Sequence, residues 1–229
     1  MIHNQSNLQI EKNGKIEYEN VNVKKREGKV RKVSKEYPEG LRRLATRMNF
    51  GRVSAAVKVI SHTQKNGIVS MGFGSLLNID MDNTSGLLNY YLLDYYDPQS
   101  TRLFLEKFVI TINKEMVHDM LGFVESTLSG TNQINVVNKL VLVKEFSKID
   151  WCKDILDCLL NRKQLWRRDD KTCYYSGPIL ILTLVYVYNM KFSNVKIMKR
   201  VLFVRHVTGD VLEKIEKLEI NMGGFGRKL

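Results

Sequence analysis

Two closely spaced glycines, Gly72 and Gly74, are the first residues whose type and spacing could do chemistry. They lie in the stretch IVSMGFGSLLNIDMD, residues 68–82. Glycine-rich loops can cradle phosphates, but a dinucleotide-binding loop needs a third glycine where Leu77 stands. A P-loop would end in Gly-Lys-Ser or Gly-Lys-Thr, which this stretch does not contain. The sequence therefore predicts a structural turn at Gly72 and Gly74.

Metal-binding and nucleophile patterns are equally weak. Asp80 and Asp82 resemble the start of a calcium loop, but its twelfth position is Tyr91 instead of a bidentate glutamate. The four histidines and three cysteines match no zinc motif. A nucleophilic pair would have to be assembled in space, from Cys152, Cys158 or Cys173 with His118 or His206. We therefore predict no catalytic residue, no metal and no cofactor, and a protein that is not an enzyme.

Positive charge is concentrated near the N-terminus. The 229-residue chain has a formal net charge of +12, and Lys24 to Lys65 hold thirteen Lys or Arg against three Glu. Residues 1–38 have few large apolar side chains, so we expect a flexible basic arm. The arm is interpreted as a nucleic-acid contact, a nuclear-import signal or a solvated tail. Its basic residues are Lys24, Lys25, Arg26, Lys29, Arg31, Lys32 and Lys35.

Four further arginines could extend this basic surface into the folded part of the chain. Arg42, Arg43, Arg47 and Arg52 are spaced by one, four and five residues. On a helix this spacing would present one basic face to phosphates. The sequence therefore predicts nucleic acid as one partner and other nuclear proteins as another.

The elements that would position these residues are mostly helices. Apolar spacing predicts two short helices over residues 41–60, broken near Gly51, with Val53, Val57 and Ile60 on the second. A well-marked helix follows, with Asn83, Thr84 or Ser85 as its cap and an end before Pro98. Residues 101–112 predict a β-hairpin that turns at Glu106 and Lys107.

The second half of the chain continues the helical pattern. Asn113 caps a short helix that Gly122 closes, and three helical stretches follow over roughly 134–146, 149–166 and 177–190. A last helix ends before Gly223. The longest apolar run, residues 178–188, is short of the roughly 20 residues that cross a bilayer, so we predict no membrane association. Five aromatic residues among these stretches are expected in the core: Trp151, Tyr174, Tyr175, Tyr186 and Tyr188.

The predicted architecture is mainly α. Residues 39–229 are expected to form a compact helical domain with a small β-hairpin, after the basic arm of residues 1–38. The sequence lacks the alternation of strands and helices that would build a parallel sheet.

Six stretches occur in the order seen in a known family. The chain resembles the plant mobile domain, also called the aminotransferase-like plant mobile domain, in the version that accompanies ubiquitin-like-protein proteases in transposon-derived genes. The stretches are MGFGSLLNIDMD with Gly72 and Gly74, LLDYYDP with Asp97 and Pro98, INKEMVHDMLG with Gly122, WCKDILDCLL with Trp151, SGPILILTLVYVY with Gly177 and Pro178, and GGFGR with Gly223 and Gly224.

The resemblance implies a mostly helical, transposon-derived module that acts in the nucleus, with the cytoplasm as the alternative location. It does not imply aminotransferase chemistry, because no lysine lies in a recognisable pyridoxal-phosphate context. Protease activity in such proteins resides in a separate C-terminal domain. We therefore expect a non-enzymatic nuclear interaction module. The alternatives are a basic nucleic-acid-binding module and the remnant of a protease protein that lacks its catalytic domain.

Overall fold

The computed structural model describes residues 41–46, 48, 50–81, 84–123, 149–170, 172–192 and 195–227. Within this part of the chain the fold is mainly helical, as predicted. The basic arm, Arg47 and the predicted helix at 134–146 lie outside the described residues. The helices are α1 (Phe50–Val59), α2 (His62–Ser70), α3 (Gly86–Tyr95), α4 (Lys114–Leu121), α5 (Trp151–Leu165), α6 (Ile179–Asn189) and α7 (Gly209–Asn221), and two short 3₁₀ helices cover Gly74–Asn78 and Phe203–His206.

A small antiparallel sheet contains the predicted hairpin. Its strands are β1 (Tyr96–Asp97), β2 (Arg102–Phe104) and β3 (Val109–Thr111), in the order β1-β2-β3. Leu103 pairs with Ile110 across the hairpin, and the exposed turn contains Glu106 and Lys107 as expected. Sequence reasoning missed β1, because a two-residue strand carries no periodic signal.

Side-chain caps define the ends of α3 and α4. Ser85 accepts a hydrogen bond from the Leu88 backbone N–H at the start of α3. Asn113 accepts one from the Met116 backbone N–H at 2.9 Å, and Gly122 ends α4 in the left-handed region at φ 66°. These residues confirm the predicted start of α3 and both predicted ends of α4.

Helix α6 lies at the centre of the core. Every residue from Ile179 to Val187 is buried, which explains why the stretch is apolar on all sides. Helix α6 packs against α3 and α4. Two side chains in this stretch carry a hydroxyl, Thr183 and Tyr186, and that of Thr183 donates a hydrogen bond to Asn89 Oδ1 of α3 at 2.7 Å.

The first of the two helices predicted over residues 41–60 is wrong for the residues that the structure describes. Residues 41–45 have no helical structure, and Thr46 forms an isolated parallel bridge with Tyr175. The Leu44 N–H donates to the Gly86 carbonyl, and the Ala45 carbonyl accepts from Tyr175 N–H, both at 2.9 Å. Because distant residues satisfy these backbone groups, the segment has no need of helical hydrogen bonds.

Candidate interaction surfaces

The glycine stretch forms a turn that uses its own backbone donors. Gly72 has φ 86°, in the left-handed region, and its N–H donates to the Val69 carbonyl at 3.0 Å. The Phe73 N–H donates to the Ile68 carbonyl at 3.0 Å. Gly74 starts the first 3₁₀ helix. A phosphate would have to compete for donors that already close the end of α2.

The remaining motif glycines also have structural surroundings. A Cβ at Gly177 would come within 2.2 Å of the Tyr175 hydroxyl, and Pro178 precedes the first turn of α6. Gly223 and Gly224 follow α7 with φ values of 92° and 132°. These positions favour glycine because a side chain would be blocked or strained there.

Two other motif positions shape turns and packing. Asp97 accepts hydrogen bonds from the Gln99 N–H and the Ser100 hydroxyl in the turn that contains Pro98. Trp151 begins α5, and its ring lies 5.0 Å from the ring of Phe73. Asp97 therefore stabilises the turn after β1, and Trp151 packs the start of α5 against Phe73.

Cys152 and His118 both contact the same backbone carbonyl, but they do not form a reactive pair. His118 Nδ1–H donates to the Phe123 carbonyl at 2.6 Å, and Cys152 Sγ lies 3.8 Å from the same oxygen. Cys152 is fully buried, so a substrate has no access to its thiol. Burial raises the pKa of Cys158, which is opposite to the shift that activates a cysteine. Within the described residues no group of His, Cys, Asp and Glu is arranged to hold a metal.

The predicted aromatic core is correct for two residues and wrong for one. Tyr175 and Tyr186 are buried, while Trp151 and Tyr188 are half-buried. Tyr174 is 58% exposed, because the backbone here is not helical and successive side chains point in different directions. Among the described helices none is long and apolar enough to cross a membrane.

The predicted basic helix face is wrong for the arginines that the structure describes. Arg42 and Arg43 lie in the non-helical segment, and only Arg52 lies on a helix. The Arg42 guanidinium carbon is 5.3 Å from the centroid of the Tyr90 ring, a cation–π distance. Arg42 therefore packs against α3 instead of joining Arg52 on one face.

A second basic region escaped the sequence reasoning. We call residues 191–205 the basic segment; its charged side chains are all exposed: Lys191, Lys196, Lys199, Arg200 and Arg205. Lys191, Lys196 and Lys199 line a pocket of about 250 Å³ at the end of α6, together with apolar side chains such as Val187 and Phe192. The compositional signal was present, because the chain contains no Asp or Glu between residues 170 and 210.

Lys199 stands at the edge of that pocket. Its ammonium donates to the Met190 carbonyl at 2.7 Å and lies 5.8 Å from the centroid of the Tyr188 ring. Burial and the neighbouring Lys191 lower the pKa of Lys199. The mutual repulsion of the two ammonium groups would be relieved by an anion, so this region is a candidate contact for phosphates.

An open apolar groove lies between α1, α2 and the first 3₁₀ helix, and we call it the apolar groove. Its volume is about 390 Å³. Helix α1 turns an apolar stripe toward it, while its fully buried side chains are limited to Phe50 and Ser54. The lining consists of Arg52, Val53, Ala56, Val57 and Ile60 from α1, Ile68 from α2, and Phe73, Leu76 and Leu77.

The walls of the groove are held by local hydrogen bonds. Ser61 and Gln64 form a reciprocal capping box where α1 ends and α2 begins, with the Ser61 N–H 2.8 Å from Gln64 Oε1. The turn at Gly72 then leads into the 3₁₀ helix, which forms the other wall. The groove is therefore built from short elements joined by tight turns.

Two ranges of the chain, residues 46–129 and 122–183, match the family described as "Domain of unknown function (DUF8566)". Together they cover more than half of the sequence. The chain belongs to the DUF8566 family. No curated protein and no solved structure matches it. The resemblance to the plant mobile domain stays a prediction, because the family description does not bear on it.

The DUF8566 match separates the two candidate surfaces. The apolar groove is formed by residues 52–77, which lie inside the first matched range. The basic segment lies beyond residue 183, where the second matched range ends. The groove therefore lies within the part of the chain that matches the family, and the basic segment lies outside it.

Proposed function

We propose that this DUF8566 protein is a non-enzymatic interaction module of the nucleus that binds a protein partner through the apolar groove. The observation that carries the proposal is the direction of the α1 stripe. Its apolar residues recur at helical spacing but face a groove that no described residue fills, instead of the core. Burial of this apolar surface by a partner would remove it from water and so favour binding.

The lining favours a protein over a small molecule. Small-molecule sites combine apolar walls with several convergent polar groups that orient the ligand. Here the lining contains a single polar side chain, Arg52. Apolar side chains of a partner would gain from burial in the groove without needing such groups.

The proposed location and origin rest on the motifs and the basic arm. The six stretches in the order of the plant mobile domain support a transposon-derived protein. The arm supports nuclear import through its Lys and Arg cluster.

The groove proposal is tested by comparing two substitutions on α1. Ala56→Asp places a charge inside the groove, whereas Val59→Asp makes the same charge change at a side chain that is 82% exposed and outside the lining. Each tagged protein is incubated with plant nuclear extract, and bound proteins are quantified. We expect a set of partners that Ala56→Asp loses and Val59→Asp retains. Identical bound sets for the two variants would refute the groove as the binding site.

The nuclear location is tested with a fluorescent fusion in plant cells. We expect alanine at Lys24, Lys25, Arg26, Arg31 and Lys32 to abolish nuclear accumulation. The control replaces three exposed lysines of the helical domain by alanine: Lys107, Lys153 and Lys214. Unchanged localisation of the arm variant would contradict this part of the proposal.

The second candidate function is nucleic-acid binding, which the basic segment favours. Its exposed cations and the seven basic residues of the arm would both release counterions on contact with phosphates. A salt titration against short DNA and RNA duplexes tests it, with the full chain, a version starting at Glu39, and Lys196→Glu/Arg200→Glu. We expect affinity that falls steeply with salt and is weakened by either change. Affinity that is independent of salt would contradict nucleic-acid binding.

A further inference from the structure

We infer that the pocket at the end of α6 binds an unpaired base of single-stranded nucleic acid, while lysines at its opening contact the neighbouring phosphates. We call it the lysine-rimmed pocket, after the three lysines that line it, Lys191, Lys196 and Lys199. The inference rests on the second candidate function, nucleic-acid binding. It adds which form of nucleic acid the basic segment recognises.

The lysine-rimmed pocket has an apolar interior and a charged opening. Among its lining residues, Val187 and Met190 are buried, and Phe192, Val195 and Ile197 are half-buried. The three lysines that line it are exposed. A ligand that suits this arrangement places an apolar group inside the pocket and a negative charge at its opening.

Two of the lysines are available to bind an anion. Within the described residues no carboxylate pairs with Lys191 or Lys196. The sequence contains no Asp or Glu between residues 170 and 210 that could neutralise them locally. Lys199 differs, because its ammonium already donates to the Met190 carbonyl at 2.7 Å. Lys191 and Lys196 are therefore the residues that we assign to phosphates.

Backbone contacts hold the pocket lining in place. The Met190 N–H donates to the Tyr186 carbonyl at 3.0 Å at the end of α6. Lys199 then connects a later part of the basic segment to the Met190 carbonyl. The Val195 N–H donates to the Phe192 carbonyl at 3.4 Å, which keeps these two lining residues together. Lys199 is therefore a positioning residue.

The size and lining of the pocket favour a single base. Its volume of about 250 Å³ is below the roughly 300–1,000 Å³ of sites for drug-sized ligands, so it suits one ring system. Proteins that bind single strands combine a cationic surface with aromatic side chains on which bases stack. Phe192 supplies the aromatic side chain here. In a duplex each base is paired and stacked, so it could enter the pocket only if the strands opened.

The pocket is less suited to an anionic membrane surface. A membrane-bound segment inserts exposed apolar side chains among the lipid headgroups. The apolar lining of this pocket is recessed below the lysines, so the ligand must enter the protein. Met198 and Val201 of the same segment are exposed, which makes anionic vesicles a necessary comparison in the test.

The test measures how Phe192→Leu changes affinity for single strands and for duplexes. Fluorescence anisotropy is recorded for the full-length chain with labelled oligothymidylate and oligouridylate of about twelve nucleotides, and with a DNA duplex of equal length. Leucine keeps an apolar side chain but removes the stacking surface. We expect single-strand affinity to fall at least about fivefold and duplex affinity to stay within about twofold. The basic arm is identical in both proteins, so it cannot produce this difference.

Two further variants keep the test independent of the packing of Phe192. Lys191→Ala/Lys196→Ala changes exposed side chains, and should lower the slope of log affinity against log salt for single strands by about 1.4, at about 0.7 per phosphate contact. Its matched control, Lys107→Ala/Lys214→Ala, should leave that slope unchanged. Phe192→Trp should retain affinity, and single strands should quench its added fluorescence. The unaltered chain corrects for Trp151 and Trp166, and circular dichroism confirms that all variants keep the fold.

Several outcomes would overturn the inference. Phe192→Leu that weakens single-strand and duplex binding equally, or neither, would exclude a base in the pocket, as would fluorescence of Phe192→Trp that single strands do not quench. Phosphatidylserine vesicles are tested in parallel. Vesicle binding that Lys191→Ala/Lys196→Ala loses, with single-strand affinity unchanged, would assign these lysines to a membrane surface.

The inference and the second candidate function fail in distinguishable ways. Salt-dependent binding of nucleic acid that is insensitive to Phe192→Leu would refute the base pocket and leave nucleic-acid binding intact. Absence of salt-dependent binding to single strands and duplexes alike would refute both.

Discussion

Glu219 of α7 makes the stability of this fold depend on pH. The side chain is fully buried, and its Oε1 accepts a hydrogen bond from the Tyr186 hydroxyl of α6. The Gly226 N–H donates to the same hydroxyl at 2.9 Å. The other carboxyl oxygen, Oε2, has no hydrogen-bond partner among the described residues. An ionised carboxylate is poorly solvated in such surroundings.

The sign of the effect follows from the shifted pKa. Burial raises the pKa of Glu219 from 4.5 to about 7, although the hydrogen bond from Tyr186 and the nearby Gly226 N–H favour the ionised form. The folded state therefore binds this proton more tightly than the unfolded state. The resulting stabilisation is complete below pH 4.5 and is lost as pH rises through 7. Between pH 5 and pH 8 the loss is roughly 2.5 kcal/mol, at 1.36 kcal/mol per pKa unit.

Glu219→Gln isolates this contribution, because glutamine has nearly the same shape and does not ionise. The free energy of unfolding is measured by urea denaturation from pH 5 to pH 8. We expect the unaltered chain to lose about 2.5 kcal/mol more over this interval than Glu219→Gln. The matched control is Glu213→Gln, which removes an exposed carboxyl from the same helix. Parallel pH profiles for the chain and Glu219→Gln would refute the reasoning.

Other substitutions test the turns and the polar contact in the core. Gly122→Ala should destabilise the fold by about 2 kcal/mol, because the position has φ 66° and a Cβ would lie 1.7 Å from Leu202 Cδ2. Gly67→Ala in α2 should instead stabilise it by about 0.5–1 kcal/mol, since a Cβ there meets no atom within 4 Å. Thermal or urea unfolding checks both, and a similar effect at the two glycines would contradict the geometric argument. Thr183→Val should cost about 1–3 kcal/mol by leaving the Asn89 carbonyl unpaired in the core, and Thr183→Ser should restore most of it.

Local signals in the sequence were sufficient to predict the helix caps and the hairpin in the middle of the chain. Ser85, Asn113 and Gly122 each act within their own helix, through a cap or a left-handed residue that the neighbouring sequence reveals. The hairpin between β2 and β3 was equally visible, because its strands are adjacent in the chain. Such features need no knowledge of the tertiary structure.

Contacts between distant residues explain the failures. Residues 41–46 have the apolar spacing of a helix, yet Leu44 bonds to Gly86 and Ala45 to Tyr175. Neither partner can be inferred from the spacing of the segment itself. The basic segment is a different case, because its lack of acidic residues can be read directly from the sequence. It was missed because the basic residues of the arm are more densely spaced.

The periodicity of α1 predicts a helix with one apolar face but cannot predict what covers that face. Val53, Val57 and Ile60 have the spacing of a core-facing helix, and this pattern correctly predicts α1. The same pattern arises whether the covering surface belongs to the chain or to a partner, because the apolar stripe must be buried in either case. Among the described residues this stripe faces an open groove, with Val53 exposed and Val57 and Ile60 half-buried. An interaction helix of this kind therefore looks like a core helix in the sequence, and its function becomes visible only when the covering surface is found to be missing among the described residues.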